Sequence, residues 1–259
     1  MAYLVQFGSF VFPPGFAPMT QDSPRDIAEQ ERPRAAGAIV QVARHQSRRL
    51  SIEGAAMGFG GGQTAIQAAE DAIRGACESS GSVQTLYFGR SDRYINAQHV
   101  GVSESYKQGD SSAYGVNHRL VLSFVAGDPF FYDAAGPANA PGLTSAGGTV
   151  TPGGNAPAFA AWTISVTTGA TGPIVLTNTS TGEIATLGTA LTVWGNGDQV
   201  VLTRQTGVYT ALKNGIAVPG LLLGLIPRLA VGANVVTLAA SGGIVLGPLK
   251  CTYTARWQS

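Results

Sequence analysis

Large apolar residues alternate with polar ones along most of this 259-residue chain, the two-residue period of strands, and one stretch takes a helical period instead. Tyr3-Leu4-Val5-Gln6-Phe7 and Phe10-Val11-Phe12 are halted by Pro13-Pro14-Gly15, which reads as a strand or bent hairpin. "AIVQVARH" at 38–45 and "RRLSIEGAA" at 48–56 read as two strands with Gln46-Ser47 near a turn. Further strands are expected at "VQTLYFG", "AQHVGVSES" and "VNHRLVLSFVA". In the last, Val116, His118, Leu120, Leu122 and Phe124 share one face, and Asn117, Arg119, Val121, Ser123 and Val125 the other. The exception is 63–79, where Ile66, Ala69, Ile73 and Ala76/Cys77 fall at helical spacings and Glu70 stands one turn before Arg74. Its narrow apolar face suits a helix lying on a sheet.

Two stretches carry no sustained period. Residues 17–36 are polar and dense in charge, so a mobile or partner-ordered loop is expected there. After "LVLSFVAGDPFFY" the chain dissolves into Ala, Gly and Pro, so Phe131 reads as the close of a domain. The expected organisation is therefore a first domain over 1–132, a Gly/Pro-rich linker over 133–157 and a second domain over 158–259. The second domain is wholly β in pattern: "AWTISV", "GPIVLTN", "EIATLG", "ALTVWG", "DQVVLTR", "GVYTAL", "NVVTLAA" and "LKCTYTARW" are separated by Gly-bearing turns, Asn214-Gly215 among them. Short alternating strands at this density argue a β-sandwich.

Composition sharpens this picture. Charged residues make up 12% of the chain and the net charge is +1, which supplies no global field for gripping nucleic acid or an anionic membrane. Residues 1–133 hold 11 Lys/Arg and 13 Asp/Glu, and 134–259 hold 5 and 2, so the second domain must present a mostly neutral surface. Such a surface suits packing against other protein copies. The apolar stretch "IAVPGLLLGLIPRLAV" is broken by Pro219, Gly220, Pro227 and Arg228, so no membrane span is expected. The N-terminus lacks a basic n-region, so secretion is not indicated. Cys77 and Cys251 read as buried thiols.

Little of the chemistry-bearing inventory assembles into a site. "GFGGGQ" at 58–63 precedes the helix but has Gln63 where a dinucleotide fingerprint needs glycine, so it reads as a strand-to-helix turn. His45, His99 and His118 have no partner at metal-ligand spacing, and neither metal nor cofactor is expected. Glu183 and Asp198, the only acids of the second domain, both lie beside turns, and no catalytic role is assigned to them. Arg32, Arg34, Arg44, Arg48 and Arg49 form the one basic concentration, with Asp22, Asp26, Glu29 and Glu31 close by. Charge complementarity between neighbouring subunits is the expected use. Trp162 and Trp194 are candidates for a glycan-stacking platform or for core.

The order of several cues resembles the distal tail proteins of long-tailed, siphovirus-like bacteriophages and related gene-transfer particles. These cues are "LYFGRSDRYINAQHVGVSES" running into "HRLVLSFVAGDPFFY", then "APAFAAWTISVTTGATGPIVLTNTSTGEIATLG", "GDQVVLTRQTGVYTALKNG" and "LAVGANVVTL". The resemblance covers nearly the whole chain, although "AVG" at 230–232 lacks the family's Pro before Gly. It implies a mainly β fold, with an N-terminal tail-tube-like β-barrel bearing one helix, followed by a C-terminal galectin-like β-sandwich. It implies a non-enzymatic virion protein of the tail tip, assembled in the host cytoplasm. A hexameric ring of the chain would join the tail tube protein to the tail tip or hub protein and the tape-measure protein, with DNA passing through the lumen unread. The alternative is a carbohydrate-binding tail or surface protein attaching to host glycans through Trp162 or Trp194 of the sandwich.

Overall fold

The structure is a computed structural model that describes residues 4–22, 25–31, 38–56, 62–78, 81–106, 118–205 and 208–258. The chain divides into two compact units, Met1–Ala134 and Ala135–Ser259.

The first unit contains β1 (Val5–Phe7), β2 (Phe10–Val11), β3 (Ala17–Asp22), β4 (Arg25–Glu31), β5 (Ala38–His45), β6 (Arg48–Ala56), α1 (Gly62–Glu78), β7 (Gln84–Phe88), β8 (Arg93–Tyr106), β9 (His118–Ala126) and β10 (Phe131–Asp133). The main sheet runs β2-β1-β7-β8-β9-β6-β3, with β10 against the start of β8. Among the described residues it ends on β2 and β3 without closing on itself. Alternation puts Leu50, Ile52, Leu86, Ile95, Leu122 and Phe124 on one buried face. Helix α1 covers that face with Ile66, Ile73 and Cys77, the positions its spacing marks out. Gly54 of β6 belongs to the same face, and a Cβ there would overlap the Phe16 ring. Glycine thus lets the buried Phe16 lie on β6 and bring β3 alongside.

The polar 17–36 stretch is not a loop where it is described: β3 and β4 occupy most of it. Its polarity reflects exposure, since nearly every side chain of β3 faces solvent. Nor does Gln46-Ser47 turn the chain back. β5 pairs with β4, and β6 pairs with β3, so the two runs follow one another along one ribbon.

His99 sits at a register shift in β8, its ring edge-on to Phe124 at 5.5 Å between centroids. Burial pushes its pKa down, with the Gly101 backbone and the Glu78 carboxylate acting the other way. A lowered folded value means that neutral His99 contributes stability in full above the unfolded pKa of about 6.5, and that this is lost as pH falls toward the folded value. Hydrogen-exchange protection of the β8 and β9 amides is therefore expected to drop between about pH 7.5 and about pH 5.5. The drop should be smaller in His99→Asn, and equal drops would place the titration on another group.

The second unit contains β11 (Ala138–Asn139), β12 (Gly147–Val150), β13 (Ala160–Thr168), β14 (Ile174–Asn178), β15 (Glu183–Leu187), β16 (Gln199–Gln205), β17 (Val208–Lys213), β18 (Ile216–Ala217), β19 (Leu222–Gly224), β20 (Asn234–Ala240), β21 (Val245–Leu246) and β22 (Lys250–Tyr253). They form two antiparallel sheets. One runs β11-β22-β13-β16-β17-β18 with β21 continuing beside β13, and the other runs β12-β20-β14-β15-β19. Trp162, Ile164, Val200 and Leu202 of the first sheet meet Leu176, Leu187, Val236 and Leu238 of the second in a single core, which makes the unit a sandwich. Asn214-Gly215 joins β17 to β18 with both residues at positive φ, 53° and 80°, as a two-residue hairpin requires.

From Ala135 onward, the linker expected over 133–157 is part of this sandwich, while Asp133 ends β10 of the first unit. β11 pairs with β22, β12 pairs with β20, and Val150 and Ala156 are buried. Gly147 explains how: a side chain there would run into the Val236 carbonyl, so its absence admits β12 to the sheet edge. A strand held by backbone pairing and small residues leaves no hydrophobic period. "ALTVWG" is likewise no strand; among its residues only Val193 makes a bridge, to Thr171, and Trp194 plugs the core from the loop.

Candidate assembly surface

In the first unit β3, β4, β5 and β6 form one ribbon of paired strands. Asp22 stands opposite Arg49 and Arg25 opposite His45, so the β3–β6 ladder passes into the β4–β5 ladder. Among the described residues β4 and β5 have no third strand. A two-stranded ribbon is marginal in water, and its outer edges carry backbone donors and acceptors that seek a partner. In its register Asp26 stands opposite Arg44.

Of the five arginines, the two whose side chains are described, Arg48 and Arg49, do not share a face. Arg32 and Arg34 lie outside the described residues. Arg44 belongs to β5 and Arg49 is exposed on β6. Arg48 is 2% exposed, its guanidinium 5.0 Å from the centre of the Phe131 ring, and burial lowers its pKa. Alternation along β6 decides this difference, because Arg48 and Leu50 share the core face while Arg49 and Ser51 share the other. Arg48 is therefore a core residue, and the subunit-contact role expected of it is withdrawn.

The other face of the main sheet carries hydroxyl and charged groups beside Val121 and Val125. Ser51 pairs with Ser123 across β6 and β9, Thr20 hydrogen-bonds Ser51, and Arg119 is ion-paired to Glu53. A row of aromatics crosses this sheet: Tyr87 is adjacent to Tyr94, and Tyr94 is opposite Tyr132. The Tyr94 and Tyr132 rings are stacked, 5.8 Å apart and 25° from parallel, and the Tyr132 hydroxyl donates to the Asp128 carboxylate. Tyr94 thus gives a ring face to its neighbour, so the row stiffens the sheet as cross-strand pairs do. Sequence reasoning missed it, because its members come from three separate strands and only strand order aligns them.

In the second unit the candidate glycan platform is absent. Trp162 is fully buried and Trp194 is 2% exposed, and each indole N–H is satisfied internally, by the Pro227 carbonyl at 2.9 Å and the Gly172 carbonyl at 2.7 Å. Neither offers a face to a sugar ring. Both free cysteines are buried, Cys77 with its thiol pKa pushed up to about 11 and Cys251 to about 12. Such thiols are inert at neutral pH.

The unit's two carboxylates hold loops together. Asp198 accepts from the Gly195 N–H, the Asn214 amide and the Lys213 ammonium, each at 2.8 Å. Burial alone would raise its pKa, but these hydrogen bonds outweigh it and keep the carboxyl below its usual range. Glu183 takes the Arg204 guanidinium at 2.8 Å on Oε1, and the backbone N–H of Arg228 at 2.8 Å and the Thr181 hydroxyl on Oε2. Arg204 is further placed by the Ile226 carbonyl and by the Phe159 and Tyr209 rings.

No group of three or more His, Cys, Asp and Glu is arranged to hold a metal ion among the described residues. No described helix is long and apolar enough to cross a membrane. No protein-family profile and no curated protein matches the sequence. Among solved structures the chain is similar to the Dit protein of phage SPP1, presented as a paradigm of the hub adsorption apparatus in phages infecting Gram-positive bacteria. The TM-score is 0.71 at 14% identity, over 99% of each chain, so both units share that protein's fold in the same order. A chain of the phage P2 baseplate in its activated, Ca-bound conformation aligns at TM-score 0.41 and 10% identity, over 98% of this chain and 91% of that one, which is too low to bear on the fold.

Proposed function

We propose that the chain is a structural subunit of a phage tail tip, the distal tail or baseplate hub that joins tail tube to adsorption apparatus. The observation that carries this reading is the end-to-end likeness to the SPP1 Dit fold, which extends through both units. The ribbon of β3 to β6 and the sheet ending on β2 and β3 fit it, since open edges are satisfied when copies close into a ring. In this reading the chain forms a hexameric ring, contacts the tail tube, tail tip and tape-measure proteins, and leaves a lumen for DNA. Arg32, Arg34, Arg44 and Arg49 serve subunit contacts against the ribbon's carboxylates, and the sandwich, 135–259, is a peripheral decoration without catalytic role. The protein is then a virion component, present in host cytoplasm during assembly. Attachment to glycans through Trp162 or Trp194 is not favoured, because both indoles are buried.

Electron microscopy and mass photometry of the purified full chain test this together. Rings with a central hole are expected, and Arg32→Glu with Arg34→Glu should shift the mass toward smaller species by placing like charges at the contact. A monomer at every concentration reached, with no ring in the micrographs, would remove the hub reading.

A further inference from the structure

We infer that the second unit carries an oxyanion-binding site formed by Arg204 and Arg228, selective for a phosphate group. In this unit 5 basic residues face 2 acidic ones, so each carboxylate's engagement can be followed. Asp198 is closed on Lys213. Glu183 is shared between two guanidiniums, with Arg204 Nη1 at 2.8 Å and Arg228 Nε at 3.4 Å from the same Oε1. One carboxylate cannot neutralise two guanidiniums, so a unit of positive charge is left over at this spot. The shared oxygen also holds the two nitrogens within about 6 Å of each other, a separation that a tetrahedral oxyanion bridges with two of its oxygens.

The placement of Arg228 is built. Its backbone N–H is gripped by Glu183 and its carbonyl by the Asn178 amide at 2.7 Å. Asn178 is itself buried and bonded to buried Asn234, which fastens the following turn through Ala230 and Gly232. Buried amides and a nearly buried carboxylate are thus committed to fixing the backbone of a residue whose side chain is 47% exposed. Arg204 lies deeper, 13% exposed, and is oriented by Tyr209, itself partly exposed beside it. Arg204, oriented by its rings and by Glu183, and Arg228, fixed through its backbone, need little reorganisation to take a phosphate oxygen from each side, and the planar forks of arginine match that geometry better than lysine would.

The probe is inorganic phosphate, with glycerol 3-phosphate as the ester arm and acetate as the carboxylate arm, added to the full-length protein at constant ionic strength. Arginine side-chain Nε–Hε resonances are followed by NMR. Saturable shifts of two arginine signals in the millimolar range are expected with phosphate and with the ester, and weaker ones with acetate. Arg228→Gln should abolish saturation, whereas Lys250→Gln, on β22 and separated from Arg204 of β16 by β13, should leave it intact. Because Arg228→Gln keeps both backbone bonds, unchanged tryptophan fluorescence would show that the fold survives. Shifts that rise linearly without saturation, or that persist in Arg228→Gln, would reduce the cluster to an internal ion pair. Equal saturation by acetate would overturn the selectivity for phosphate.

Discussion

Replacing Trp162 with alanine is expected to destabilise the sandwich by about 3–5 kcal/mol, the range for deleting a buried indole from a packed core. Trp162 lies on β13, the strand that pairs with β16 on one side and β22 on the other, so its loss opens a cavity at the centre of the sheet. Trp162→Phe recovers much of the volume but strands the Pro227 carbonyl without its 2.9 Å donor, a loss of about 1–3 kcal/mol. Urea unfolding of the full chain, read by fluorescence, isolates this unit because all 3 tryptophans lie within it. A sugar-stacking tryptophan would behave oppositely: alanine would leave stability nearly unchanged and remove glycan retention. Stability unchanged within about 0.5 kcal/mol would contradict the buried placement.

The sandwich was legible where alternation is carried by large residues. β13, β14, β16 and β20 each alternate inside and outside over most of their length, which period-2 reading captures. It failed where structure rests on the backbone alone. β12 is "GGTV", whose first two residues have no side chains to alternate, and β3 is a polar edge strand whose side chains mostly face water. Both look like loop because a hydropathy period needs large side chains that alternate, and neither strand supplies them. The candidate site divides along the same line. Arg48 and Arg49 are adjacent and chemically identical, yet one is core and the other surface, and only the phase of β6 separates them. The tyrosine row, and the meeting of Glu183 with Arg204 and Arg228, depend on which strands become neighbours, which no local pattern encodes.

That dependence makes Glu183 the most consequential acid of the second unit. Scarcity alone would suggest that Glu183 and Asp198 can be replaced together without effect, since neither belongs to a catalytic arrangement. Their partners say otherwise. Glu183→Ala strips the carboxylate from Arg204, a guanidinium that is 13% exposed, and releases the Arg228 backbone N–H at the same stroke. Removing one member of such a buried pair typically costs about 3–5 kcal/mol, because the remaining charge stays desolvated without compensation. Glu183→Gln keeps an acceptor for Arg228 but loses the charge, so a smaller cost of about 1–3 kcal/mol is expected. Adding Arg204→Met to Glu183→Ala should recover part of the loss, since an apolar side chain of similar length needs no counter-ion. This double-mutant cycle separates the ion pair from the loop it anchors: recovery assigns the cost to the stranded guanidinium, and its absence assigns the cost to the 226–234 turn. A Glu183→Ala chain as stable as the native one would remove the carboxylate from the structural account altogether.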